Sequence, residues 1–174
     1  MIRRLVPSAA ACAVLVLSTA CAPPPAMQPA PADCSRLELD LRRGTLNGVA
    51  PTASMAEVKE RLRCSTGETE EGATINRGGG VFFVDHDFYF YTHRDYIEVR
   101  SRFAGAVTPD VLGGDARQAA RRLRLGPSVR TLPLRRSLLF RTGYGCVEVR
   151  TDDGGVVNEV AAHARPCEDV PDDS

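Results

Sequence analysis

The densest group of side chains able to do chemistry lies between Val81 and Arg100, where Asp85, His86 and Asp87 are followed by His93 and Asp95. Imidazole and carboxylate ligate zinc and other divalent cations, and the same set could serve acid–base chemistry in a small hydrolase. The spacing opposes a joint site. The two groups flank the run Phe88 to Thr92, and as a strand that run would hold its ends about 15 Å apart. They read as polar turn residues. Gly-x-Ser-x-Gly and His-Glu-x-x-His are absent, so no nucleophile or zinc helix has recognisable company. Gly78-Gly79-Gly80 leads into a strand pattern instead of a helix. It lacks the helix N-terminus of a phosphate cradle and reads as a flexible loop end, closing a solvated stretch from Ser65 to Gly80. No cofactor or metal is implied, and a metal-dependent enzyme or hydrolase built on Asp85, His86 or Asp87 stands as the alternative to a non-enzymatic role.

Cysteine is the second reactive type. Arg3 and Arg4 precede an apolar run from Ala9 to Leu17 and then Ser18, Thr19 and Ala20, the three parts of a secretory signal peptide over residues 1–20. The run is shorter than the roughly 20 apolar residues a membrane span needs. Leu17-Ser18-Thr19-Ala20-Cys21 resembles the bacterial lipobox, which implies diacylglycerol on the Cys21 sulfur, an acylated (palmitate-type) N-terminus, and a lipid anchor in the outer membrane facing the periplasm or the surface. Ordinary cleavage after Ala20 would leave a secreted protein. Residues 21–33, rich in Pro and Ala, form an extended tether. Cys34, Cys64, Cys146 and Cys167 remain, an even number in an oxidising compartment, and read as two disulfides. Cys34 with Cys64 and Cys146 with Cys167 is the expected pairing, since each pair brackets a local unit. The spacings do not suit zinc.

Charge is neutral in sum and polarised in layout. Eight arginines and no acid lie between Ala116 and Val147, whereas Thr151 to Ser174 carries seven acids against Arg165. Arg117, Arg121 and Arg124 are candidates for an anion-binding face toward an envelope glycolipid, an anionic polymer or an acidic protein. Pairing with the acidic tail at 168–174 is the competing account. Nucleic acid is excluded as a partner by export.

The elements that must position these groups are short. Ser54 and Glu57 form a capping box ahead of Met55, Val58 and Leu62 at helical spacing. A second helix starts at Asp115, carries Ala116, Ala119, Ala120 and Leu123 inward, and should stop at Gly126-Pro127. Strands are expected over Val81–Val84, Phe88–Thr92, Tyr96–Phe103, Ser137–Thr142, Cys146–Thr151 and Val156–Ala162. A constant offset of 50 aligns Phe90 with Phe140, Ile97 with Val147 and Val99 with Val149. The fold class expected is α+β: a tandem repeat (34–104 and 105–167) of short helix packed on antiparallel sheet within one domain, 34–167. Strand parity places Ile97 and Val99 in the core and Tyr96, Glu98 and Arg100 on a solvated face. If uncovered, that face would offer Tyr89, Tyr91 and Tyr96 beside Arg94 and Arg100 to a protein partner.

Gly44-Thr45-Leu46-Asn47-Gly48-Val49, Thr52, Ser54 to Val58 and Leu62 resemble the turn, helix and leucine of small bacterial envelope lipoproteins of the outer-membrane assembly-factor type. Those proteins and the tandem-repeat β-lactamase-inhibitory proteins lay two short helices on an antiparallel sheet. The resemblance implies a binding or scaffold module for another envelope protein or an anionic envelope component, with a secreted protein inhibitor as a further alternative.

Overall fold

A computed structural model of the chain describes residues 36–62, 69–71 and 79–172. The expected signal peptide, Cys21, the tether, Cys34 and Cys64 lie outside the described residues. The fold is α+β, with two short helices and two sheets among the described residues. The smaller sheet has β1 (Glu38–Asp40) in the middle, antiparallel to β2 (Thr45–Leu46) and parallel to β7 (Ala106–Thr108). The larger sheet is wholly antiparallel. Its strands are β3 (Thr69–Glu71), β4 (Val81–Phe83), β5 (Phe88–Tyr91), β6 (Tyr96–Arg100), β8 (Arg130–Leu132), β9 (Ser137–Arg141), β10 (Cys146–Thr151) and β11 (Val157–His163), in the order β3-β4-β5-β6-β11-β10-β9-β8.

Helix α1 (Met55–Arg61) starts where the sequence places it. The Ser54 hydroxyl accepts from the Glu57 N–H at 3.2 Å, satisfying one of the free amides of the first turn. In α2 (Ala116–Leu123) the Asp115 carboxylate accepts from the Arg117 N–H at 2.8 Å. That helix ends before Gly126-Pro127, because Arg124 takes the left-handed conformation (φ 55°) that closes it. Val58 and Leu62 on α1, and Ala119 and Leu123 on α2, are buried against one face of the large sheet. That face supplies Val81, Phe83, Phe88, Phe90, Ile97, Val99, Phe140, Val147, Val149, Val160 and Ala162. The parity expected for Ile97 and Val99 therefore holds.

Two expectations change. Thr69–Glu71, read as solvated loop, pairs with Val81–Phe83 at the sheet edge, while residues 72–78 lie outside the described set. Gly80 is no loose loop end: a Cβ there would come within 2.0 Å of the Phe90 carbonyl oxygen, so close backbone approach demands glycine. The acidic segment after His163 is ordered to Asp172, with a 3₁₀ turn at Cys167–Asp169 and Val170 buried. No helix among the described residues is long and apolar enough to cross a membrane.

Candidate functional site

The sheet face turned away from the helices carries the molecule's charged chemistry, arranged in transverse rows by strand register. One row reads Phe82, Tyr89, Glu98, Ala161, Glu148, Leu139 across β4, β5, β6, β11, β10 and β9. The row beside it reads Arg100, Glu159, Arg150, Ser137 across β6, β11, β10 and β9, and the row on the other side reads Tyr91, Tyr96, His163, Cys146. Carboxylates on three neighbouring strands thus interleave with guanidiniums. Arg100 Nε and Nη2 lie 2.6 Å from Glu98 Oε1, and Nε is 3.6 Å from Glu159 Oε2. Arg150 Nη1 reaches Glu159 Oε1 at 2.6 Å and its Nη2 is 3.6 Å from Glu148 Oε1. Glu148 also accepts from the Ser137 hydroxyl at 2.6 Å, lies 3.5 Å from Arg135 Nε and 3.0 Å from His163 Nε2.

This ladder is buried: Glu148 is 1% exposed, His163 2% and Glu98 3%. Burial opposes ionisation of Glu148, yet the hydrogen bond from His163, the charge of Arg135 and the Ser137 hydroxyl hold it down to about 2. As a carboxylate it only accepts, so His163 Nε2 carries the hydrogen. Glu159 is pushed up to about 7 by burial and then by the negative charge of Glu98, offset in part by Arg150 and Arg100. Burial pulls Arg100 toward the neutral form, but Glu98 and then Glu159 outweigh it and raise its pKa.

Two covers keep water from this face. At one end the rings of Tyr91 and Tyr96 stack at 4.3 Å, and Tyr96 stacks on His163 at 4.8 Å. Phe82 joins Tyr89 and Tyr91 in the same cluster, and the Arg100 guanidinium sits 4.3 Å over the Tyr89 ring. Burial raises the pKa of Tyr96 and of Tyr89. At the other end the C-terminal segment folds back as a strap. A disulfide joins Cys146 to Cys167, and Val170 packs with Leu132 and Leu139 in a small separate core. Arg130 Nη1 donates to the carbonyls of Cys167, Glu168 and Val170 at 3.2, 3.1 and 2.7 Å, and Arg141 pairs with Glu168. Arg135 Nη1 lies 3.4 Å from the Pro171 carbonyl.

The face read as solvated is therefore closed. Tyr89, Tyr91 and Tyr96 are at most 9% exposed, Arg100 is held in the ladder, and Arg94 is partly buried and bonded. The expected open tyrosine surface is absent because like rings stack on one another and opposite charges neutralise across strands. The metal candidates are also held locally. Asp87, in the left-handed region (φ 57°), accepts from the Tyr89 hydroxyl at 3.2 Å and the Arg102 N–H at 2.8 Å, and Asp95 pairs with Arg165. Among the described residues no three His, Cys, Asp or Glu side chains gather as a metal site.

The arginine-rich segment divides. Arg130, Arg135 and Arg141 hold the strap, Arg136 pairs with Asp153, and Arg122 Nη1 caps the Asp110 carbonyl at 2.9 Å. Arg117, Arg121 and Arg124 are exposed on α2 and its C-terminus and make no ion pair among the described residues. Sequence reading missed Glu148, Glu159, His163, Ser137, Arg135 and Arg150 as a unit. The available signal was parity: Glu98 with Arg100 and Glu148 with Arg150 put opposite charges two residues apart on one strand face. Comparison with protein-family models, curated proteins and solved structures returned no match for this chain.

Proposed function

We propose that this chain is an envelope lipoprotein, acylated at Cys21, whose domain is a non-enzymatic binding module for an anionic envelope component engaged through Arg117, Arg121 and Arg124. The observation that carries the reading is the contrast in pairing. Every arginine on the sheet face has a carboxylate or carbonyl partner, whereas those three guanidiniums, on one short helix and at its C-terminal cap, face solvent with none among the described residues. Desolvating three unpaired guanidiniums against phosphate or carboxylate gives charge-assisted, bidentate hydrogen bonds without breaking any existing pair. The Pro–Ala stretch is the spacer that lets the domain stand off its anchor.

The domain is further read as two related units, 34–104 and 105–167. The order α1 then β3 to β6, and α2 then β8 to β11, supports it, with β6 and β11 antiparallel at the middle of the sheet. Matching by strand place would set β6 against β11, whereas the offset of 50 sets Ile97 on β6 against Val147 on β10. The unit is accordingly a helix with a four-stranded meander.

Retention of the full chain on immobilised inorganic polyphosphate tests the binding role. Wild type is expected to be retained and to elute with salt, and Arg117→Glu with Arg121→Glu and Arg124→Glu to flow through. Equal retention of the triple variant would refute it. The anchor is tested separately by mass spectrometry of the mature N-terminus: Cys21 without acyl mass would remove the lipoprotein part.

A further inference from the structure

Three segments remote in sequence meet beside the last turn of α2. Leu41 and Arg42 come from the β1–β2 turn, Leu123 to Leu125 from the end of α2, and Thr142 with Gly143 from the β9–β10 turn, enclosing a cleft of about 180 Å³. The turn bearing Arg42 is fixed in place. Tyr144 donates its hydroxyl hydrogen to the Leu41 carbonyl at 3.0 Å, and its ring lies so close to Gly44 (φ 68°) that a Cβ there would be 2.4 Å from it. Asp40 Oδ1 holds the same turn by accepting from the Arg42 and Arg43 N–H groups at 2.9 and 3.2 Å. Arg124 is fixed by its left-handed position at the helix end.

The lining is amphipathic in a specific way. Leu41 and Leu123 are buried and form an apolar floor with Leu125, while Arg42 and Arg124 are exposed at the rim and have no ion-pair partner among the described residues. The Thr142 hydroxyl accepts from the Gly145 N–H at 3.1 Å and also bonds the Tyr144 hydroxyl, so it serves to hold the turn. Among the described residues no acidic side chain lines the cleft. Two guanidiniums above leucine match a group with high charge on one end and hydrocarbon on the other.

We infer that this cleft is a ligand site for a phosphate monoester on an alkyl stem, the phosphate between Arg42 and Arg124 and the stem on Leu41, Leu123 and Leu125. Two arginines offer parallel N–H pairs to the phosphate oxygens, and hydrocarbon on the leucine floor leaves water. The site rests on the proposed anion-binding role of α2 and narrows it to one place and one chemical class.

Calorimetric titration of the full chain with octyl phosphate is the test, with inorganic phosphate and octyl glucoside as the arms that separate headgroup from stem. Saturable one-to-one binding of octyl phosphate is expected, with inorganic phosphate weaker and octyl glucoside unable to compete. Arg42→Gln and Arg124→Gln should each weaken it by about tenfold, as loss of a charge-assisted hydrogen bond does, and Arg136→Gln, whose guanidinium pairs with Asp153 away from the cleft, should leave it unchanged. Equal affinity in Arg42→Gln and wild type would overturn the site, as would inorganic phosphate binding as well as octyl phosphate or octyl glucoside competing. If polyphosphate retention persists while octyl phosphate fails to bind, the cleft is wrong and the helix surface stands. Loss of polyphosphate retention in wild type removes the surface itself.

Discussion

The sheet face and helix α2 use the same side chain in opposite ways. On the sheet, Arg100 and Arg150 sit between glutamates on adjacent strands, close enough for each guanidinium to contact two carboxylates. On the helix, Arg117 and Arg121 are neighbours at i,i+4 with no acid between them. Like charges at that spacing cost an isolated helix a few tenths of a kcal/mol, roughly the reverse of a favourable pair. A buried charge that loses its partner is expensive, whereas an exposed one that never had a partner is cheap to keep. The difference separates arginines that hold the fold from arginines free to meet something else.

That separation can be attacked first at its most costly point. Glu148→Ala would leave Arg135, Arg150, His163 and Ser137 without their shared acceptor. A loss of about 3–5 kcal/mol is expected from urea unfolding, the range for breaking a buried pair by removing one member. Arg121→Ala on α2 should change stability by less than about 0.5 kcal/mol. Similar costs for the two would erase the distinction.

The ladder should also give stability a particular pH profile. Glu148, at about 2 in the fold against an ordinary 4.5, contributes stability that is present above its ordinary value and is lost as pH falls toward 2. Glu159, at about 7 against 4.5, contributes in its protonated form, so its share is present below 4.5 and is lost as pH rises through 7. Chemical denaturation across pH 3 to 8 is therefore expected to show a maximum close to 4.5, with a decline on the order of a few kcal/mol toward neutrality. Glu159→Gln should flatten the neutral limb and keep the acid one. A neutral limb unchanged in that variant would contradict the assignment.

A smaller effect sharpens the helix side. Arg124 holds a left-handed conformation that glycine adopts without a Cβ penalty. Arg124→Gly is expected to raise stability by about 1 kcal/mol in urea unfolding while lowering retention on polyphosphate. Stability and binding moving together would show that Arg124 serves the fold.

How much of this was legible in the residues follows from what each signal measures. Capping at Ser54 and Asp115 is local, and both helices begin there. Strand parity is equally local, so the inward set of Phe88, Phe90, Ile97 and Val99 was readable, as was the Cys146–Cys167 bridge. What parity cannot say is what lies on top of a face. Glu98 and Tyr96 point outward by parity and are still buried, because the strap, the ring stack and cross-strand pairing depend on which strands become neighbours. The three-residue strands β1, β7 and β8 are too short to carry a period of their own. Arg124 ended α2 early for a similar reason: a left-handed arginine has no sequence mark where Gly126 and Pro127 offer a conspicuous one.

The central claim is that the arginines of α2 and its C-terminal end, and not those held by the strap and by Asp153, are available to an anion. It is tested most directly by the salt concentration that elutes the full chain from immobilised polyphosphate, compared between two variants of equal charge change. Arg117→Gln with Arg121→Gln and Arg124→Gln should elute well below wild type. Arg130→Gln with Arg136→Gln and Arg141→Gln, which removes guanidiniums already engaged by the strap and Asp153, should elute close to it. Equal shifts in the two variants would mean that net charge alone governs binding, and would contradict the account.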